Sequence, residues 1–252
     1  MSRPIRIGLI AEGDTELGAS IPYIKPEDGG KVLEREKEGA LHRLIRRELN
    51  EIGLPDCSFV QRHPTIKESG VYKVAKVRTG HSILDPRYLA EVTITWKPEE
   101  VDMIAIVVDA DDIKPQREKA LELALSKIRN FRLDINEEPI PDRSAGGLAI
   151  RNFETWLLAD IQTVSTILGV EMEKLGNLED EAKTKEILEN AIAQSTYLAE
   201  DTSNQRPLQI RWNLAEQIDL TMLKVTCPMG YAVFVQDLTK AAKVATAMII
   251  SL

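Results

Sequence analysis

Residues 101–112, VDMIAIVVDADD, constrain the fold more than any other stretch of the chain. Their middle, residues 103–108, is an unbroken apolar run rich in isoleucine and valine, and aspartates follow at positions 109, 111 and 112. A continuous apolar run of this length is typical of a strand covered on both faces, as in a parallel sheet flanked by helices. Acidic residues at the end of such a strand would lie at the carboxyl edge of the sheet, where open α/β folds bind ligands.

The spacing of the aspartates admits two interpretations. Asp109 and Asp111 are two residues apart, so in an extended chain both carboxylates point to the same side of the strand. Neighbouring carboxylates repel each other, and a divalent cation between them removes that repulsion. The alternative is a solvated acidic turn that ends a core strand, and the Asp-x-Asp pair alone does not decide between the two.

Two more short apolar runs also lead into carboxylates. Residues 5–11, IRIGLIA, precede Glu12 and Glu16, whose spacing of four would place both on one side of a helical turn. Residues 145–150, AGGLAI, precede Glu154. Three apolar runs that each end in a carboxylate predict an α/β fold with a cluster of acidic side chains at one edge of a mainly parallel sheet.

The chain divides into two parts by its sequence pattern. Residues 1–160 contain the three apolar runs and are predicted to form the sheet domain, flanked by helices. Residues 161–252 have a helical and largely acidic pattern, and we expect them to form a helical C-terminal extension packed on that domain. The final helix is almost wholly apolar over residues 241–252, so it should pack on the core or form a homodimer interface.

One stretch of the chain is basic although the whole chain has a net charge of −8. Within residues 61–90, Lys73, Lys76 and Arg78 lie near two tyrosines, a combination that suits a phosphate backbone and unstacked bases. We therefore predict that these three side chains contact nucleic acid. The alternative is a solvated loop followed by a helix.

The composition excludes several classes of protein. Cys57 and Cys227 are far apart and have no Cys-x-x-Cys or histidine context, which predicts reduced core thiols in a cytoplasmic protein rather than a zinc site. No apolar stretch is long enough to span a bilayer, and we expect neither a signal peptide nor a membrane partner. A GxxxxGK[ST] phosphate-binding loop is also absent, so ATP hydrolysis would require a partner.

The acidic strand ends resemble those of the Toprim superfamily, the metal-binding domain of topoisomerases, primases and OLD-type nucleases. The resemblance is carried by the apolar run before Glu12, by the spacing of Glu12 and Glu16, and by Asp109-x-Asp111 after a later strand. Residues 150–160, IRNFETWLLAD, resemble the third acidic element of a small bacterial Toprim-like group, often found beside an ATPase in antiviral gene pairs.

Within this resemblance, two positions are compared with OLD-type enzymes. Those enzymes carry Ser-x-Glu at the third acidic element, where this chain has Asn152-x-Glu154. They also use a downstream lysine, to which Lys224 corresponds by its position along the chain.

The resemblance implies a two-metal nuclease, a hydrolase of phosphodiester bonds in DNA or RNA. Two Mg²⁺ or Mn²⁺ ions about 4 Å apart would activate water and stabilise the leaving oxygen. Glu12 and Asp109 would be catalytic, with Glu12 alternatively a general acid or base. An ATPase partner in antiviral defence is implied as well. The metal ligands implied by the resemblance are Glu12, Glu16, Asp109, Asp111 and Glu154.

Two other functions are compatible with the same residues. A non-catalytic Toprim-like regulatory subunit would use the site to bind a partner or nucleotide. A phosphatase of the haloacid dehalogenase type would use Asp109 as its nucleophile, since IAIVVDADD also matches that family's strand and Asp-x-Asp motif. The phosphatase motif does not explain the acidic strand end at Glu12.

Overall fold

The fold is that of a computed structural model, which describes residues 3–18, 32–54, 56–60, 83–86, 89, 96, 101–130, 142–198, 200, 203 and 205–250. Four strands form one sheet in the order β2-β1-β3-β4, and every neighbouring pair is parallel. This confirms the predicted α/β class. The strands are β1 (Ile5–Ile10), β2 (Cys57–Phe59), β3 (Met103–Asp109) and β4 (Ser144–Ala149).

Helices cover the sheet on both faces, and two short 3-10 turns, Arg35–Lys37 and Leu178–Asp180, lie between them. The helices before β4 are α1 (Asp14–Leu17), α2 (Ala40–Glu51) and α3 (Lys114–Arg129). Those after β4 are α4 (Glu154–Leu157), α5 (Ile161–Leu168), α6 (Thr184–Gln194), α7 (Arg206–Gln217), α8 (Leu220–Thr226) and α9 (Tyr231–Ile250).

The burial of β3 on both faces of the sheet explains why its sequence is apolar without alternation. Met103, Ala105 and Val107 belong to the core cluster that contains α2 and the C-terminal helices. Ile104, Ile106 and Val108 belong to a second cluster, which contains the buried face of α3. Since successive side chains point to opposite faces of a strand, both halves of the run are removed from water.

The last helix, α9, packs mainly on β4. The ring of Phe234 faces Gly147, where an added Cβ would lie 2.8 Å from a ring carbon, so only glycine permits this approach of helix to strand. The same ring stacks on Trp156, with 5.7 Å between ring centroids. Part of the apolar C-terminal pattern is therefore accounted for within one chain, and a homodimer through α9 stays a prediction. No helix among the described residues is long and apolar enough to cross a membrane.

A close backbone contact fixes α1 against the start of α2. Gly18, at φ 67°, ends α1 in the left-handed region that favours glycine. A methyl group at Gly39 would overlap the backbone nitrogen of Gly18 and the carbonyl oxygen of Glu16. The position of Glu16 therefore depends on two glycines that lie side by side.

We expect Gly39→Ala to lower the free energy of unfolding by about 2 kcal/mol, the usual scale of an overpacking defect. Urea denaturation of the variant and of Gly176→Ala measures the effect. Gly176 is the matched control because no heavy atom lies within 4 Å of its added Cβ. Equal stability of the two variants would show that α1 and α2 can move apart without lowering the free energy of unfolding.

Candidate metal centre

Three adjacent strands bring the predicted carboxylates to one edge of the sheet. Glu12 follows the end of β1, Asp109 is the last residue of β3, and Glu154 is the first residue of α4, shortly after β4. The backbone N–H of Asp109 donates to Oε1 of Glu12 over 3.1 Å, which joins the ends of β1 and β3 directly. Because β1, β3 and β4 are parallel neighbours, all three acidic residues lie at the carboxyl edge of the sheet.

A second link holds Asp111 beside the end of β4. Asp111 and Arg151 form an isolated bridge, in which the N–H of Asp111 donates to the carbonyl of Arg151 over 2.8 Å. Both residues have backbones in the left-handed region, with φ of 47° for Asp111 and 69° for Arg151. This conformation is unfavourable for residues other than glycine. The surrounding hydrogen bonds hold this strained pair, and they fix where the Asp111 carboxylate projects.

The carboxylates lie close enough to perturb one another. Glu16 is only 7% exposed, and burial raises its pKa from 4.5 to about 7, with further contributions from the charges of Glu154 and Glu12. The pKa of Asp109 is raised well above its ordinary value, first by desolvation and then by repulsion from the other carboxylates. The residues that repel the Asp109 carboxylate are Glu16, Glu12, Glu154 and Asp111. The five predicted ligands therefore form one electrostatic unit.

Two buried arginines belong to the same unit, and sequence reasoning missed both. Arg117, on α3, places Nη2 3.0 Å from Oδ2 of Asp111 and 3.5 Å from Oε1 of Glu12. Arg211, on α7, places Nε 3.6 Å from Oε1 of Glu154. Both arginines are less than 10% exposed.

A helical pattern could have indicated Arg117 before the structure. It lies four residues before Leu121, on the face of α3 that also buries Ala124 and Ile128. A charged residue on the buried stripe of an amphipathic helix usually has a buried partner. Arg211 gives a similar signal, since it lies three residues before Leu214 and four before Ala215 among the buried residues of α7.

Helix α7 shows that the C-terminal helices contribute to the site. Besides Arg211, it carries Trp212, whose Nε1 donates to the carbonyl of Asp14 over 3.3 Å, next to Glu16. At its C-terminal end, Arg47 of α2 donates to the carbonyls of Ala215 and Ile218 over 2.7 Å each. The acidic cluster is therefore enclosed by helices from both parts of the chain.

Two positions suggested by the resemblance have structural partners. Asn152 accepts a hydrogen bond from the hydroxyl of Thr184 over 3.0 Å, which ties the loop before α4 to α6. Lys224 donates to Glu51 and pairs with Glu48, 2.7 Å away, on α2. The basic stretch with Lys73, Lys76 and Arg78 lies outside the described residues.

The donor atoms of the five acids suit a hard divalent cation. Their donors are carboxylate oxygens, which Mg²⁺ and Mn²⁺ prefer, and the five acids carry more negative charge than Arg117 and Arg211 balance. Among the residues that the structure describes, no group of three or more Asp, Glu, His or Cys side chains is placed so that it could hold a metal ion. A cavity of about 280 Å³ adjoins the cluster and is lined by Asp111, Lys114 and Arg151 among others.

Comparison with known proteins gives no match: no family model matches the chain, and neither the curated proteins nor the solved structures contain a significant relative.

Proposed function

We propose that the protein is a Toprim-like, metal-dependent phosphodiesterase that cleaves DNA or RNA. One observation carries the proposal: five carboxylates lie at the carboxyl edge of three adjacent parallel strands. Burial of Asp109 and repulsion from the other four carboxylates raise its pKa. Such repulsion lowers the stability of the protein unless a cation binds there, so clusters of this kind are characteristic of functional sites.

The acidic side chains have different proposed roles, which follow from their positions. Divalent ions bound to Glu12, Glu16, Asp109, Asp111 and Glu154 would supply an activated water and neutralise charge on the leaving oxygen. Glu12 is oriented by the N–H of Asp109 and by Arg117, which fixes its carboxylate before substrate binds. Asp111 is half exposed and faces the cavity, so it is the ligand nearest to an approaching phosphate.

The cavity beside Asp111 supports a phosphate-containing substrate. Lys114 and Arg151 line it from the start of α3 and the end of β4. Arg151 pairs with Asp112, which is 91% exposed, and so weak a surface pair leaves the guanidinium available to an anion. Nucleic acid is the substrate class that combines such contacts with the basic residues Lys73, Lys76 and Arg78. An ATPase partner and an antiviral role rest on the family resemblance alone.

A partner-binding regulatory role is the second candidate, and a different feature favours it. A larger cavity, about 790 Å³, lies between α5 and α8 and is lined largely by apolar residues. Met222 and Val225 on its rim are 47% and 69% exposed. An apolar, methionine-containing groove of this kind suits a protein partner. Both roles would coexist in a nuclease that works with a second protein.

The test of the proposed function is cleavage of single-stranded and duplex DNA and RNA with Mn²⁺. We expect Glu12→Gln to reduce cleavage more than about 100-fold, because loss of a metal ligand exceeds the 10- to 100-fold effect of losing a supporting contact. Glu122→Gln on α3 is the matched control, an exposed glutamate outside the cluster.

Three other results would exclude the proposed function or support a different one. Equal cleavage by wild type and Glu12→Gln would rule out the two-metal nuclease. Wild type that binds Mn²⁺ but cleaves nothing, with or without a partner ATPase, would support the regulatory role. Hydrolysis of a phosphomonoester that survives Glu12→Gln but not Asp109→Asn would support the haloacid-dehalogenase-type phosphatase.

A further inference from the structure

Helix α8 exposes an apolar face to water although its opposite face is buried. Leu220 and Leu223 belong to the core, whereas Met222 and Val225, three residues apart, are exposed. A surface helix normally carries polar residues on the face that points to water. Among the described residues nine large apolar side chains are exposed, and four of them lie within residues 222–233. Such a concentration of exposed apolar side chains is typical of an interaction surface.

The exposed face of α8 borders the cavity of about 790 Å³, which residues of α5 line as well. We call this cavity the α5–α8 groove, and its apolar lining includes Leu158, Ile161, Met172, Leu175, Met222 and Val225. A cavity of about 150 Å³ holds one benzene ring, so the groove has room for several apolar side chains of a ligand.

Three polar side chains of the groove already have partners within the protein. Ser165 donates to a backbone carbonyl over 2.6 Å, and Thr166 donates to another over 2.8 Å. Asp160 accepts from two backbone N–H groups over 3.2 and 3.0 Å. Small-molecule sites depend on a few polar groups that are free to fix the orientation of the ligand. The groove therefore suits the apolar face of a larger partner better than it suits a small molecule.

The charges beside the groove are predominantly negative. Four exposed acids adjoin its lining residues along the chain or through a hydrogen bond, namely Glu171, Glu173, Asp180 and Asp219. The lining contributes Lys174 as the opposing charge. These acids attract a basic partner and repel a phosphate backbone. None of the described residues that line the groove is aromatic, so unstacked bases would have no ring to stack on. A basic protein segment therefore fits better than nucleic acid.

We propose that the α5–α8 groove binds an amphipathic helix of a partner protein. The apolar face of that helix lies against Met222 and Val225, and lysines or arginines along its edges face the four exposed acids. Insertion of an apolar helix face into a hydrophobic groove is a common mode of peptide recognition. Methionines such as Met172 and Met222 adapt to the shape of a partner. The inference rests on the partner-binding role proposed above and does not depend on metal binding or on cleavage.

Fluorescence anisotropy with model peptides tests the proposal. The probe is a fluorescein-labelled helical peptide of leucine and lysine with its leucines on one face. The comparison peptide has glutamate in place of every lysine. We expect the lysine peptide to bind the wild-type chain at least about 10-fold more tightly than the glutamate peptide, because only the lysine peptide has a charge opposite to that of the acids. Its affinity should fall as the salt concentration rises.

Variants of the groove locate the bound peptide. Met222→Ser combined with Val225→Ser should weaken binding of the lysine peptide at least about 10-fold, since two apolar contacts are lost. Glu171→Gln combined with Glu173→Gln should weaken it by about 3-fold and reduce its salt dependence. Leu123→Ser on α3 is the matched control, an exposed apolar side chain outside the groove, and should bind as wild type does. All five side chains are exposed, so the variants should fold, which circular dichroism checks.

Several outcomes would overturn the proposal. These are equal binding of the two peptides, no binding of either, or unchanged affinity in the Met222→Ser, Val225→Ser variant. Direct binding of a labelled single-stranded oligonucleotide that the same variant loses would assign the groove to nucleic acid instead. The expected peptide binding by a chain that cleaves nothing would support the groove and refute the nuclease. Cleavage by a chain that binds neither peptide would support the nuclease and overturn the groove.

Discussion

Asp109→Asn is expected to abolish Mn²⁺-dependent cleavage and to raise the melting temperature of the metal-free protein. Asparagine keeps the shape of the side chain and removes a charge that is disfavoured by desolvation and by repulsion from Glu16, Glu12, Glu154 and Asp111. In the proposed metal site the same change would remove a ligand oxygen, and we expect cleavage to fall by about 1,000-fold or more, the upper range for losing one electrostatic contact in the transition state.

The comparison with Asp111→Asn makes this prediction specific. Asp111 pairs with buried Arg117 over 3.0 Å, so its neutralisation leaves the guanidinium with less compensation. Asp111→Asn should therefore also lose cleavage, but its metal-free melting temperature should fall rather than rise. Thermal melts in EDTA, together with cleavage assays in Mn²⁺, measure both effects. A metal-free Asp109→Asn protein that melts below wild type would contradict the electrostatic account of the cluster.

The second large effect is a pH dependence of stability that originates at Glu16. Its pKa is raised from 4.5 to about 7, so between these values the folded protein binds more protons than the unfolded chain. The free energy of unfolding of the metal-free protein should therefore fall as the pH rises from 4.5 to 7. At about 1.4 kcal/mol per pKa unit, the full contribution is about 3 kcal/mol.

Glu16→Gln should remove this part of the pH dependence. At pH 8 in EDTA, the variant should be more stable than wild type by up to about 3 kcal/mol, and near pH 4 the two should be alike. Urea denaturation across the pH range measures the difference, with Glu122→Gln as the exposed control. Parallel curves for wild type and Glu16→Gln would show that the Glu16 carboxyl titrates normally.

Saturating Mn²⁺ should reverse the order of stability. A ligand that binds only the folded state stabilises it by about 4.1 kcal/mol at 1,000 times its Kd, which exceeds the difference of up to about 3 kcal/mol between the metal-free proteins. Wild type should gain this stabilisation, and Glu16→Gln should lose most of it because the proposed metal site would lose a ligand oxygen. A side chain that weakens the metal-free fold but is required for metal binding is typical of a functional site.

The sequence by itself determined the parallel sheet and the position of the acids along the strands. The apolar run of residues 103–108 required helices on both faces, and the structure has them. Because the chain leaves each parallel strand at the same edge, Glu12, Asp109 and Glu154 had to lie at that edge once the strands were identified. Local periodicity contains this information, since it depends only on residues close together in the chain.

Only the tertiary structure decided which acids lie close together and what their charges do. The order β2-β1-β3-β4 places the three acidic strand ends side by side, and another order would have separated them. Arg211 reaches Glu154 from a helix that lies more than 50 residues further along the chain. The raised pKa of Glu16 depends on burial and on Glu154 and Glu12. Desolvation and Coulomb interactions act through space, so no pattern of local residues specifies them.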